Sequence, residues 1–300
     1  MQSTLTVAYP GREGANTAAA CDKLFPGGKR AIALPSWSAV ADAVAAGEAD
    51  FGVLPIESSL VGPVNETHDL LFALPLSIIA QTVLPIRHCL LGMPGATIEG
   101  LRVVRSHPMA LDQCRELLAR LPQAEAIVAA TTADAAKHVA DQRDPAEAAI
   151  ANLTAAETYG LTILADNVGD HAEAYTRFVL VATYTRVDHR ESDAWRTAFS
   201  FVTDHQPGAL HRALEPFARH AIDLVQLVSR PIPKTPFRYR FDAQIAGHPL
   251  DALISETLRE ARERTRQLKV WGSYPAESNG WTPDAPEAAR ARLLAAGGRG

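Results

Sequence analysis

Short apolar runs alternate with alanine-rich amphipathic stretches through the first part of the chain. Leu5–Tyr9 reads as a buried strand, and a turn at Gly11–Gly14 leads into a helix starting near Thr17. Ser36 is placed to cap a helix whose apolar face is Ala39, Val40, Ala43 and Val44, and Gly47 to end it. Strands follow at Phe51–Leu54, Leu76–Leu84 and Arg87–Leu91. Val103-Val104 is a further strand core, after which Ser106 and Pro108 open a helix, because a first-turn proline sacrifices no hydrogen bond. The remaining units are strand Ala126–Ala129, helix Thr132–Ala140, strand Ala148–Ala151, helix Leu153–Tyr159, and strands Thr162–Leu164 and Thr176–Thr183. This alternation predicts an α/β fold whose mostly parallel sheet is covered by helices. Ligands in such folds gather at C-terminal strand ends, against helix N-termini.

The pattern changes after a polar break at 185–195, which reads as a linker closing a first domain over 1–184. Beyond it come strand Thr197–Thr203, helix Ala209–His220, strands Leu224–Ser229 and Phe237–Ile245, helix Leu250–Arg262 and strand Gln267–Gly272. That βαββαβ order predicts an α+β, ferredoxin-like domain over 196–275. Such a domain leaves one sheet face open and often pairs with a copy of itself. Residues 276–300, rich in Gly, Pro, Ala and Arg, read as a poorly ordered tail.

Composition narrows the chemistry. A length of 300 residues suits about two domains. The net charge of −5 argues against nucleic acid or an anionic membrane surface as the main partner. No run of about 18 apolar residues suggests a membrane span, and the N-terminus has no signal-like core, so a cytoplasmic location is expected. Cys21, Cys89 and Cys114 are scattered, as small buried hydrophobes are. The sequons at Asn65 and Asn152 carry no meaning without secretion. Glycine-rich nucleotide loops, HExxH and GxSxG are absent from the sequence, and the histidines form no close ligand set. Chemistry without a cofactor or metal is expected.

Polar clusters remain at the predicted strand ends: Gly11–Thr17, Pro55–Ser59, Ser106-His107-Pro108, Thr131-Thr132 and Thr176-Arg177-Phe178. Three of them put hydroxyls and free backbone N–H groups at helix N-termini, which can hold carboxylates with few cationic side chains. Arg177 could add a bidentate carboxylate contact. A small dianionic substrate in a cleft fits this layout. Taken singly, each Ser or Thr is an ordinary helix cap, and Thr176 a good strand former.

Taken together and in order, the segments resemble the prephenate dehydratases that carry a C-terminal ACT regulatory domain. The resemblance covers about residues 5–275. Its carriers are Gly11–Ala15, Gly52–Leu60 continuing to Val64–Thr67, Arg87–Leu91, Ser106–Leu111 with Gln113-Cys114, Thr131–Ala136 and Thr176-Arg177-Phe178. In the second domain they are Pro207–Leu210, Ser229-Arg230-Pro231 and Lys269–Pro275. The resemblance implies a two-lobed, periplasmic-binding-protein-like catalytic domain with its site between the lobes, followed by the ferredoxin-like ACT domain. It implies conversion of prephenate to phenylpyruvate on the way to phenylalanine, with no cofactor. Catalytic roles fall to Thr176, as hydrogen-bond donor to the departing hydroxyl, and to Arg177, Glu57, Ser106 and His107. Substrate contacts fall to Gly14, Ala15, Ser58, Ser59, Thr131, Thr132 and Phe178. It further implies L-phenylalanine as effector at Pro207, Gly208, Ala209, Leu210, Ser229 and Arg230, in a homodimer or homotetramer. With no chorismate mutase helix ahead of it, the chain looks monofunctional.

The chain departs from the family pattern in places. Ser58, Met109 and Ala174 stand where the pattern has amide side chains, Ala18 where it has Glu, and Val228 where the effector segment has Glu. Lost amides remove groups that both donate and accept hydrogen bonds. They keep open arogenate as the substrate, a decarboxylase that does not aromatise, and a ligand-binding sensor without catalysis.

Overall fold

The computed structural model describes residues 5–26, 28–171, 173–184, 194–233 and 235–276. The expected linker lies mostly, at 185–193, and the expected tail, at 277–300, outside the described residues. In chain order, the first elements are β1 (Thr6–Pro10), α1 (Asn16–Leu24), β2 (Arg30–Leu34), α2 (Trp37–Ala45), β3 (Phe51–Ser58), β4 (Gly62–Pro63), α3 (Asn65–Ala73) and β5 (Ser77–Pro85). A second group follows: β6 (Cys89–Gly92), β7 (Val103–Ser106), α4 (Pro108–Asp112), α5 (Arg115–Ala119), β8 (Glu125–Val128), α6 (Thr132–Gln142), β9 (Glu147–Ala151), α7 (Leu153–Tyr159) and β10 (Thr162–Ala165). The chain then crosses back, and β11 (Tyr175–Ala182) completes the first group.

These groups are two lobes, with sheets ordered β2-β1-β3-β11-β5 and β10-β6-β9-β7-β8. Each sheet is mixed, where the alternation of elements predicted mostly parallel strands. β1 lies parallel to β2 and β3, but β11 arrives from the other lobe and runs antiparallel between β3 and β5. In the second lobe β7 is parallel to β8 and β9, while β6 opposes β9 and β10. Central strands read as continuous apolar runs because helices cover both sheet faces. Gly52 in β3 leaves room for α2: a Cβ there would lie 2.8 Å from Val40 Cγ1. Ser36 caps α2 as expected, accepting from the Ala39 N–H at 3.1 Å.

The last elements are β12 (Trp195–Val202), α8 (Ala209–Arg219), β13 (Leu224–Pro231), β14 (Tyr239–Ala246), α9 (Ala252–Glu263) and β15 (Gln267–Pro275). Trp195, assigned by sequence to the linker, is the first residue of β12. The antiparallel order β13-β14-β12-β15 is the ferredoxin-like arrangement. Phe199, Phe201, Phe217 and Leu258 form its core beneath α8 and α9. Its other face is not open, as the sequence suggested, but lies on the first lobe. Ala198, Trp271 and Tyr274 belong to the same core cluster as Leu71, Ile78 and Val179. At Gly272 the backbones of β15 and β5 cross so closely that a Cβ would sit 2.1 Å from the Ile78 carbonyl. The Lys269 ammonium donates to the carbonyls of Leu71, Phe72 and Leu74 at 2.7, 3.1 and 2.6 Å, closing the C-terminal end of α3.

Among the described residues no helix is long and apolar enough to cross a membrane.

Candidate active site

The ends of β3 and β11 bring the two best-marked segments together. Thr176 pairs with Ser58 and Arg177 with Glu57 across the sheet. Ser59 is locked to Tyr175: its N–H donates to the Tyr175 carbonyl and its Oγ accepts from the Tyr175 N–H, both at 2.9 Å. Ser58 Oγ accepts from the Leu60 N–H at 3.3 Å. The Thr176 hydroxyl is half-buried and has no hydrogen-bond partner among the described residues, so it is the free polar group of this corner.

Strand alternation splits the Thr176-Arg177-Phe178 segment between two faces. Phe178 packs in the core beneath α1, with Tyr9, Phe51 and Leu180, and is 2% exposed. Expected as a substrate contact, it is a core residue that anchors the strand. Thr176 shares its face. Arg177 shares the other face with Val179, the side covered by the ferredoxin-like domain. There its Nη1 lies 3.0 Å from Glu57 Oε2. The guanidinium expected to meet a substrate carboxylate is thus already paired with a carboxylate of the chain.

The facing lobe contributes helix starts. Thr131 caps α6, accepting from the Asp134 N–H at 3.0 Å and donating to Asp134 Oδ2 at 2.7 Å. Thr132 follows in the first turn, half-buried. Ser106, expected to be catalytic, is fully buried and donates to the Ile150 carbonyl at 2.6 Å, so it ties β7 to β9. The cap of α4 is His107, whose Nδ1 accepts from the Met109 N–H at 3.2 Å. Buried His88 meets Gln113 at 2.9 Å near the crossing, and burial lowers its pKa.

Contacts between the lobes come from residues in or near the marked segments that had no individual role assigned from sequence. Asn152 caps α7 and donates through Nδ2 to Asn16 Oδ1 at 2.6 Å. The Tyr159 hydroxyl donates to the Glu13 carbonyl at 2.6 Å, and Arg12 pairs with Asp134. Burial raises the Tyr159 pKa, which keeps this hydroxyl a donor. Gly14 adopts a φ of +81°, and a Cβ there would lie 3.1 Å from Ala155 Cα, so the loop that includes Gly14 and Ala15 abuts α7 closely. The position of Asn152 directly before a helix was the available signal.

Among the described residues no three His, Cys, Asp or Glu side chains gather as a metal site requires. In the ferredoxin-like domain a cavity of ≈ 690 Å3 is lined by Pro207, Gly208, Ala209 and Leu210, with Thr235 and Tyr239 opposite. Ser229 and Arg230 do not line it. Ser229 points outward from β13, and Arg230 turns to the first lobe, where its Nη2 donates to Asp69 at 2.8 Å.

Known proteins place these features in context. Residues 7–186 match the family model "Prephenate dehydratase". Arogenate dehydratase 2 of Petunia hybrida is 35% identical over 290 residues, covering 92% of this chain and 73% of its own. The prephenate dehydratase of Arthrobacter aurescens, solved with L-Phe, superposes with a TM-score of 0.82 at 31% identity, covering 97% of both chains. A quorum-quenching acylase, GqqA, superposes with a TM-score of 0.83 at 30% identity, covering 91% of this chain and 98% of its own. On the family match and this near full-length likeness, the chain belongs to the prephenate dehydratase family.

Proposed function

We propose that the chain converts prephenate to phenylpyruvate, with loss of carbon dioxide and water. The observation that carries this reading is the Thr176 hydroxyl, without a hydrogen-bond partner among the described residues, across the sheet from Ser58, with the start of α6 in the other lobe as an anion site. Prephenate brings two carboxylates, and helix N-termini hold anions without full cationic charge. The ring carboxylate departs as carbon dioxide. Its bonding electrons complete the aromatic ring, and the ring hydroxyl leaves, taking up a proton to become water. Thr176 is a poor acid, so its part is a hydrogen bond that strengthens as charge develops on that oxygen. Glu57 and Arg177 fix the strand ends that carry Ser58 and Thr176. Thr132 and Ser58 orient the substrate, and Ser106 supports the start of α4 and His107 from below.

The ferredoxin-like domain is read as an ACT domain that takes L-phenylalanine in the cavity at Pro207–Leu210. The outer edge of β13, with Val225 and Leu227 exposed, suits pairing with a second copy in a homodimer or homotetramer. Arogenate differs from prephenate by an amine in place of a ketone and is the closest competing substrate. Likeness to an acylase raises amide hydrolysis as a different reaction. By a serine route that chemistry needs an activated hydroxyl, whereas Ser58 and Ser59 are paired with backbone groups of Leu60 and Tyr175, not with a histidine.

The test is incubation of the purified protein with prephenate and, separately, arogenate. Phenylpyruvate, followed by its alkaline absorbance, supports the reading. Phenylalanine from arogenate alone moves the substrate. Carbon dioxide release with the ring hydroxyl retained replaces it with decarboxylation, and no turnover of either substrate overturns it.

A further inference from the structure

One contact joins the ferredoxin-like domain directly to the catalytic strands. Gln226 of β13 donates through Nε2 to Glu57 Oε1 at 2.9 Å. The other oxygen of the same carboxylate holds Arg177 Nη1 at 3.0 Å. Arg177 follows Thr176 in β11, and Glu57 precedes Ser58 in β3. The carboxylate therefore stands between the second domain and both residues of the catalytic corner.

Its geometry needs both partners. Arg177 already neutralises Glu57, so Gln226 adds no charge. What Gln226 adds is direction, since a carboxylate held at one oxygen can rotate while one held at both cannot. A bulge makes this constraint matter. The pairing of β3 with β11 slips between Arg177 and Phe178, where Glu57 and Pro55 oppose consecutive residues and Ile56 is extra. Regular pairing is weakest at such a bulge, and side chains must hold the register. β13 is in turn firmly seated. Its residues alternate, and Gln226 and Arg230 both point to the first lobe, with Arg230 bonded to Asp69 of α3 at 2.8 Å.

We infer that Gln226 is a positioning residue of the active site, acting through Glu57 to set Arg177 and the strand end that carries Thr176. This rests on the dehydratase reading for its consequence in catalysis, though not for its consequence in structure. A bond that merely glued two domains would change stability alone.

The experiment compares the full-length protein with its Gln226→Leu and Gln226→Glu variants. Amide hydrogen exchange is measured over 57–59 and 175–178, and kcat and KM are measured with prephenate. In Gln226→Leu, exchange in both segments should rise, kcat should fall about tenfold, and KM should stay within about twofold, as misplacement of a catalytic group predicts. Gln226→Glu can donate to Glu57 only while protonated. Its kcat relative to wild type should therefore decline as pH rises above about 5. Unchanged exchange in both segments, or a lower Tm with kcat and exchange intact, overturns the inference. If the wild-type protein fails to turn over prephenate, the dehydratase reading falls, and the exchange data still decide the role of Gln226.

Discussion

The first lobe meets its two neighbours in opposite ways. Against the second lobe it offers a polar seam: Asn16 to Asn152, Glu13 to Tyr159 and Arg12 to Asp134. Each of these groups can exchange its partner for water when the lobes part, so separation costs little per contact. Against the ferredoxin-like domain it offers a seam built like a core, with Trp271 and Tyr274 buried at 1% and 0% exposure. Charges are buried there as well. Arg240, fully enclosed, bonds Asp242 at 3.0 Å and Asp69 at 2.6 Å, and its guanidinium lies 4.5 Å from the centre of the Phe72 ring. His68 meets Asp242 at 3.1 Å. Separating these surfaces would expose apolar area and strand ionic groups. The first lobe is therefore joined to the ferredoxin-like domain by buried apolar and ionic groups, and to the second lobe by the polar contacts named above.

The sharpest way to break this contrast is at Gly272. It has a φ of +146°, and an added Cβ would sit 2.1 Å from the Ile78 carbonyl. Gly272→Ala should cost more than about 4 kcal/mol or undock the domain, read as a collapse of Tm and new exchange in β5. Next comes Arg240→Leu, which leaves buried Asp242 without its guanidinium partner, while Asp69 keeps Arg230. A loss of about 3–5 kcal/mol is expected by denaturant unfolding. Thr176→Val tests the cleft instead. It should lower kcat by about 100-fold to 1,000-fold, with Tm within a degree or two, because the hydroxyl carries no structural bond. Asn16→Ala removes one lobe contact and should cost about 1 kcal/mol, seen as a KM raised several-fold with little change in unfolding.

Much of the fold was legible because local signals and tertiary structure agreed. Helix α7 spans Leu153–Tyr159, as the alternation predicted, and the structure adds Asn152 as its cap and Gly160 as its end. The βαββαβ order survives intact. Helix α3 was missed for a physical reason: Thr67 and His68 are buried polar residues, Thr67 donating to the Pro55 carbonyl of its own lobe, while His68 and Asp69 meet Asp242 and Arg240 of the ferredoxin-like domain. Its polar side is its buried side. The edge strand β2 was also missed although Ala31–Leu34 is an apolar run, and its residues stay half-buried or exposed at the sheet edge. At the site, the sequence marked Glu57, Ser58, Thr176 and Arg177 as important but could not assign their partners. Which residues meet depends on sheet order and on the slip at Ile56, and neither is a local property. Ser106 shows the converse, since a hydroxyl at a helix start looks available until β9 is laid beside it.

The smallest effect concerns acid and should separate the seams again. His88 lies at the lobe crossing, where its carbonyl accepts from the Val168 N–H at 2.8 Å and its ring meets Gln113. Burial lowers its pKa, although the hydrogen bond to Gln113 works the other way. The folded protein therefore keeps this ring neutral at a pH where the unfolded chain, with a histidine pKa near about 6.5, has begun to bind a proton. The unfolded state binds more protons in that window, so stability falls as pH drops below about 6.5 and levels off once the folded form also titrates. His88→Gln keeps a polar partner for Gln113 and removes the titration. Its stability should follow a flatter course through this window than that of the wild type. Exchange in acid should rise first at Gly169, Asp170 and the start of α5, not along β15. Equal slopes for both proteins would mean that His88 is not held neutral, and early exchange in β15 would mean that the core-like seam is the weaker one.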